Sequence, residues 1–209
     1  MKILIADDHA IFREGVKQIL KSLPGITLID EASEGNEALL KIKKGDYDLV
    51  ILDISMPGMS GLDILYNMGN RKINTPVLIL SFYPQEQYAI RAFDLGASGY
   101  LSKDSAYEEL VTAIQKIAAG GKYISAVFAE KLFFTKQEQM PQQPHESLSY
   151  REFQVMIMLA KGKTVLEIAK ELFISDKTVS THRSRIMEKM DLKKNADLTF
   201  YAIRHNLFE

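Results

Sequence analysis

The sequence predicts a five-stranded, doubly wound parallel α/β domain with strand order 2-1-3-4-5, followed by a small all-helical domain. Three observations predict it. Five short apolar runs recur through the first 120 or so residues, β-branched-rich and apolar on successive rather than alternate positions. That pattern belongs to strands covered on both faces, hence to a parallel sheet. Amphipathic segments separate the runs, as crossover helices must. Past a polar Gln/Pro-rich stretch the pattern changes to short helical segments only.

The strand candidates, in order, are Ile3–Ala6, Ile26–Ile29, Leu49–Leu52, Val77–Leu80 and the short Gly99–Leu101. Residues 11–23 place Ile11, Phe12, Val16, Ile19, Leu20 and Leu23 on one helix face, and residues 105–118 do the same with Leu110, Val111, Ile114, Ile117 and Ala118. Gly120-Gly121 ends the first domain, which is read as residues 1–121. Residues 124–135 fit a short helix. "KQEQMPQQPHES" (136–147) reads as linker, so 122–147 connects the domains, and 148–209 forms the second. There, Ser149 with Glu152 and Thr164 with Glu167 are capping boxes, and Ser175 is an N-cap. Two short helices, a turn at Ile174-Ser175 and a third helix with a basic face make a helix-turn-helix candidate.

Composition narrows the function. The chain is 46% apolar and 25% charged, with net charge −1 and no cysteine, which excludes disulfides, thiolate metal sites and a cysteine nucleophile. The start "MKILIADDHA" reads as neither a signal nor a transit peptide, and no apolar run reaches the ~20 residues of a membrane span. A cytoplasmic location is expected. Residues 148–209 carry 11 Lys/Arg against 8 Asp/Glu, whereas residues 1–147 carry 15 against 19. An acidic module is thus joined to a mildly basic one.

In open α/β sheets, ligands sit beyond the carboxyl ends of the strands. Asp7 and Asp8 follow the first strand, and Asp53 follows the third, its neighbour in the predicted order. Three converging carboxylates repel unless a cation offsets them, and Mg²⁺ with its oxygen ligands is expected. Ser81 and Lys103 end the fourth and fifth strands. A hydroxyl and an ammonium facing a metal-bound carboxylate suit acceptance of a phosphoryl group: the carboxylate attacks, and the cations and the hydroxyl stabilise the equatorial oxygens. Taken singly, Asp7 and Asp8 could cap a helix, Asp53 could be a buried hydrogen-bonded acid, and Tyr100 could be core. His9 is favoured as a first-turn helix residue, and His145 as solvated surface.

The segment Lys177–Lys194 holds six basic residues and two acids, with Val179, Ile186 and Met190 on its inner face. Lys177, Thr178, Thr181, His182 and Arg185 project from the other faces. A helix fits the DNA major groove, where Lys and Arg read guanine edges and Thr touches the thymine methyl. Lys177, Thr178 and Thr181 are expected at the groove, and Arg183, Arg185 and Lys189 at phosphates. A solvated basic face on a protein-interaction domain is the alternative from charge alone.

"ADDH" (6–9), "LDISMPGMSGLD" (52–63), Ser81 and "GASGYLSKD" (96–104) resemble the receiver domain of bacterial response regulators. "LSYREFQVM…EIAKELFISDKTVSTHRSRIMEKM" resembles the LuxR-type helix-turn-helix. Together they look like a full-length NarL/FixJ-family response regulator of a two-component system. The resemblance implies that Asp53 is the phosphoacceptor, served by a sensor histidine kinase. It also implies that Asp8, Asp53 and the Ser55 backbone carbonyl bind Mg²⁺ directly, with Asp7 helping through water. Lys103 would pair with the phosphoryl group, and Ser81 and Tyr100 would be the switch pair. The last helix, with Leu198, Tyr201 and Ala202, would form a homodimer that binds inverted DNA half-sites. Such a protein is no enzyme beyond its own Mg²⁺-dependent phosphorylation and dephosphorylation. Asp104 replaces the proline frequent after this lysine, and Tyr83 is bulky at a position that tunes water access. A Mg²⁺-dependent phosphatase with Asp53 as nucleophile is the enzyme alternative, but Ser55 stands where such enzymes want a second acid.

Overall fold

The structure is a computed structural model of the whole chain; it describes residues 1–83, 85–105, 107–130 and 143–207, and the side chains of all of these except 85–87. The contact pattern divides the chain into two compact units, Met1–Thr135 and Lys136–Glu209.

The first unit holds five strands, β1 (Lys2–Ala6), β2 (Leu28–Ala32), β3 (Leu49–Leu52), β4 (Val77–Ser81) and β5 (Gly99–Ser102). All neighbours are parallel, in the order β2-β1-β3-β4-β5. The helices are α1 (Ala10–Lys21), α2 (Gly35–Lys44), α3 (Gly61–Asn70), α4 (Gln85–Asp94) and α5 (Tyr107–Ala118). Successive strand residues face opposite sides. Ile3, Ile5, Leu49, Ile51, Leu78, Leu80 and Leu101 join Val16 and Leu20 of α1 and Ala113, Ile114 and Ile117 of α5 in one core. The intervening Leu4, Val50, Leu52 and Ile79 are equally enclosed, which is why the strands read as continuous apolar runs. The second strand differs from expectation. It runs two residues later and is only partly buried, as an edge strand can be.

Beyond β5, Tyr123 bonds to the Ser98 carbonyl and Phe128 is buried, so the chain after Gly121 still packs on the sheet unit. Residues 126–130 are helical; the rest of the helix expected over 124–135, and the linker at 136–142, lie outside the described residues.

The second unit begins with a 3-10 turn, Pro144–Ser147, and holds α6 (Tyr150–Ala160), α7 (Val165–Leu172), α8 (Asp176–Lys189) and α9 (Asn195–Arg204). The capping boxes form as the sequence indicates. Ser149 accepts from the Glu152 amide, Thr164 from the Glu167 amide, and Ser175 from the Thr178 amide. Phe153, Val155, Met156, Ile168, Val179, Ile186, Met190, Leu198 and Ala202 make the buried interior.

One expectation is corrected here. His145 is no solvated linker residue: it is 5% exposed, its Nδ1 lies 2.8 Å from the Tyr201 hydroxyl, and its ring packs beside Phe153, Tyr201 and His205. The polar surroundings in sequence hide an aromatic anchor that ties the end of the linker to α9.

Candidate functional site

The parallel sheet brings the carboxyl ends of β1, β3, β4 and β5 to one edge, and each end carries a polar side chain. The Asp53 amide donates to the Ala6 carbonyl at 2.8 Å, so the acid starts its loop still tied to the neighbouring strand β1. Gly61 opens α3 directly behind that loop. A Cβ there would stand 2.1 Å from the Asp53 carbonyl oxygen, so the close approach requires glycine.

Asp7, Asp53, Ser81 and Lys103 are all buried. The Lys103 ammonium lies 2.7 Å from Asp7 Oδ2 and 2.7 Å from Asp53 Oδ2. The rings of Phe12 and Phe82 flank it at 4.8 and 5.0 Å. Asp53 Oδ1 is buried without a hydrogen-bond partner. Burial pushes the Asp53 carboxyl above its ordinary value, with the Asp7 charge adding to the rise, while Lys103 and, more weakly, the Ser55 backbone amide pull it back. One ligand atom each from Asp7, Asp8, His9 and Asp53 lies within 4.8 Å of the others. Three carboxylates and an unpartnered buried oxygen fit a hard divalent cation, and Mg²⁺ suits them.

His9 is closer to this cluster than a first-turn helix residue need be. It is the N-cap residue of α1 but makes no side-chain cap; its Nδ1 sits 2.8 Å from Asp8 Oδ1 and 3.2 Å from Asp7 Oδ1. The only sequence signal for it was adjacency to the acid pair.

Behind the site, the Tyr83 amide donates to Ser81 Oγ at 3.3 Å, and the Tyr100 hydroxyl donates to the Tyr83 carbonyl at 2.8 Å. Tyr100 is 1% exposed, so its ring is turned inward. The Tyr83 ring stacks on Tyr88. No cis peptide bond occurs among the described residues, including Lys103-Asp104.

Two comparisons of the whole chain decide the family. Residues 3–115 match the response regulator receiver domain, and residues 146–202 match the bacterial regulatory proteins of the luxR family. The chain belongs to the NarL/FixJ family of response regulators. It is 34% identical to the response regulator UvrY of Escherichia coli K12 over 99% of this chain and 95% of that protein. It is 36% identical to the oxygen regulatory protein NreC of Staphylococcus carnosus over the full length of both. Among solved structures, RcsB of Salmonella enterica serovar Typhimurium, bound to promoter rprA in the presence of phosphomimetic BeF3-, shares the fold. Its TM-score is 0.72 at 24% identity, over 96% of this chain and 98% of that one. This response regulator therefore combines a receiver with a LuxR-type DNA-binding domain and is a transcription regulator. Among the described residues, no helix is long and apolar enough to cross a membrane.

In the response regulator's second unit, α8 exposes Lys177, Thr178, Thr181 and Arg185. Thr181 Oγ donates to the Lys177 carbonyl, and Thr178 Oγ pairs with Ser175 Oγ. Arg183 is partly buried, its Nε donating to Asn195 Oδ1 at 2.9 Å. His182 is half-buried with Nδ1 enclosed; burial pulls its pKa down, and Arg185 and Arg151 add to the fall against Glu152. Lys189, expected at a phosphate, has a partner inside its own unit. Its ammonium is 2.7 Å from Glu152 Oε2, a carboxylate only 4% exposed, and also donates to the Ser147 carbonyl. Two of the three residues expected at a dimer contact are corrected as well. Leu198 and Ala202 are 0% exposed inside the unit's own core, and Tyr201 is half-buried against His145. The apolar residues that α9 exposes are Phe200 and Ile203, three apart on one face.

Proposed function

We propose that Asp53 is the phosphoacceptor and that its phosphorylation, by a sensor histidine kinase in the cytoplasm, controls dimerisation and DNA binding. The observation that carries this reading is the pair Lys103–Asp53, with the second Asp53 oxygen buried and unpartnered. An Asp53 oxygen attacks the phosphorus of the kinase's phosphohistidine. The P–N bond breaks, and the imidazole nitrogen keeps the electron pair. Lys103 is placed to hold a phosphoryl oxygen once the Asp53 charge is spent, and the Ser81 hydroxyl to donate to another. Asp7, Asp8, Asp53 and the Ser55 carbonyl would hold Mg²⁺, which when bound neutralises charge on the phosphoryl oxygens. In hydrolysis, water attacks the same phosphorus and returns the Asp53 carboxylate with inorganic phosphate.

Movement of Ser81 toward the phosphoryl group would release its bond to the Tyr83 amide, and Tyr83 also holds the Tyr100 hydroxyl. That shared backbone is the route by which the switch pair would reshape the α4–β5–α5 face. At the other end, Lys177, Thr178 and Thr181 would face bases, Arg183 and Arg185 would hold phosphates, and His182 would contribute least because its ring is turned inward. Residues 1–121 would be the receiver, 122–147 the connection and 148–209 the DNA-binding domain, with each described end of the connection packed on the unit it adjoins.

A modest excess of positive charge implies few phosphate contacts, so two linked domains are needed for tight binding. Phe200 and Ile203 of α9 supply the dimer contact in this reading. Phe200→Asp is expected to leave the melting temperature near that of the wild type, since the ring is 69% exposed. It should leave the phosphorylated protein's DNA-binding domains unpaired and weaken a gel shift on inverted half-sites by at least about tenfold, as loss of bivalency requires. A gel shift unchanged by Phe200→Asp excludes this contact.

A further inference from the structure

We propose that Gly35, the first residue of α2, is a positioning residue for phosphoryl uptake: it seats the β3–α3 loop, residues 54–60, so that the Ser55 carbonyl can serve the acidic cluster. This rests on the reading of Asp53 as a Mg²⁺-dependent phosphoacceptor.

The loop is fixed at both ends. The Asp53 amide donates to the Ala6 carbonyl of β1 at 2.8 Å, and the Gly61 amide donates to the Ile54 carbonyl at 3.0 Å. Ser60 then caps α3, accepting from the Asp63 amide. Between these ends the crown of the loop, Pro57–Met59, lies against the first turn of α2. The Gly35 amide donates to the Pro57 carbonyl at 3.0 Å. Gly35 is buried, and a Cβ there would stand 1.8 Å from the Met59 carbonyl oxygen and 2.6 Å from its carbonyl carbon. Beside it, the Asn36 side chain covers Gly58, where a Cβ would stand 2.8 Å from Asn36 Nδ2.

Space, not conformation, requires this glycine. Gly35 has no positive φ, so alanine could adopt its backbone, and alanine is the better helix former. The atoms a Cβ would meet are all main chain, which cannot rotate away as a side chain can. A methyl group at this position must displace either α2 or the loop. The buried face of α2, Ala38, Leu39 and Ile42, holds the helix. The loop exposes Ser55, Pro57 and Gly58 and is the part that yields. Ser55 lies between the contact and Asp53, so its carbonyl moves, while Asp53 stays tied to β1 and Lys103. The effect should therefore fall on metal binding rather than on the nucleophile.

The test uses the full chain as wild type, Gly35→Ala, Asn36→Ala and Gly15→Ala. Mg²⁺ affinity is measured calorimetrically, and phosphoryl uptake from acetyl phosphate is followed by intact mass across a Mg²⁺ titration. Gly35→Ala is expected to weaken Mg²⁺ by about tenfold or more, the scale on which metal sites respond to loss of a supporting group. Uptake at saturating Mg²⁺ should stay within about twofold of the wild type, because the reacting groups remain in place. In the metal-free protein the Ser55 and Met59 amide resonances should move, and those of β5 should not. Asn36→Ala changes an exposed side chain, so it serves where Gly35→Ala does not fold, and should weaken Mg²⁺ by at least about threefold. Gly15→Ala, within α1 and with nothing within 4 Å of the added Cβ, should bind Mg²⁺ as the wild type does. Unchanged Mg²⁺ affinity in Gly35→Ala, or in Asn36→Ala where Gly35→Ala does not fold, overturns the Gly35 assignment. So does an equal loss in Gly15→Ala, or lower uptake at saturating Mg²⁺ with affinity unchanged. Each of these leaves Asp53 standing as phosphoacceptor. A wild type that binds no Mg²⁺ or takes up no phosphoryl group overturns the reading of Asp53 itself.

Discussion

Lys103→Met is expected to cost the metal-free protein about 3–5 kcal/mol, the scale for removing one partner of a buried ion pair. Two carboxylates depend on this one ammonium, and all three side chains are at most 4% exposed. Methionine keeps most of the volume, so the loss reports charge rather than packing. The pH dependence has a definite sign. Burial already raises the Asp53 carboxyl in the wild type, so the native state holds this proton more readily than the unfolded chain does. The penalty for ionised Asp53 is therefore absent below the unfolded carboxylate pKa, grows as pH rises from there to the higher folded value, and is complete above it. Without Lys103 the penalty deepens, so the deficit of Lys103→Met should be largest where Asp53 is ionised and shrink as acid protonates it. Mg²⁺ should restore part of the melting temperature in the variant, since a cation can take over the offset. Thermal melts at two pH values, with and without Mg²⁺, check all three statements. A deficit independent of both pH and Mg²⁺ would show that Lys103 acts through packing alone.

Lys189→Ala is expected to destabilise the helical unit by about 2–3 kcal/mol, below the range for a fully buried pair because the lysine is 40% exposed. The change strands Glu152, which is capped by the Ser149 amide at 2.9 Å and otherwise relies on Lys189. Burial pushes the Glu152 carboxyl up, but Lys189 and Ser149 outweigh it and hold the carboxyl below its ordinary value. That contribution is present above the unfolded carboxylate pKa and is lost as pH falls through the lower folded one. The wild-type advantage over Lys189→Ala should therefore narrow in acid. DNA binding separates this role from a phosphate contact. Loss of a phosphate contact lowers the slope of log affinity against log salt by about one. Lys189→Ala should leave that slope unchanged, whereas Arg185→Ala should lower it.

These cases show what the sequence could and could not carry. Leu49–Leu52 announced a buried parallel strand because both faces are covered, and the strand's end fixed where Asp53 had to stand. Capping residues named the starts of α6, α7 and α8 because a cap is a local contact three residues long. The Lys189–Glu152 pair is invisible in sequence because the partner lies 37 residues away on another helix, and nothing local distinguishes Lys189 from any other basic residue. The face of α9 was misread for a related reason. Leu198 and Ala202 form one apolar stripe and Phe200 and Ile203 another; only the packing of α6 decides which stripe is interior. His145 and His9 escaped because a lone histidine carries no periodic signal.

The most direct measurement is intact mass after incubation with acetyl phosphate and Mg²⁺. The wild type should gain one phosphoryl group (~80 Da), and Asp53→Asn should gain none. The gain should depend on Mg²⁺ and fall sharply in Lys103→Met. A wild type that takes up no phosphoryl group, or an Asp53→Asn variant that takes up as much as the wild type, would contradict the assignment of Asp53.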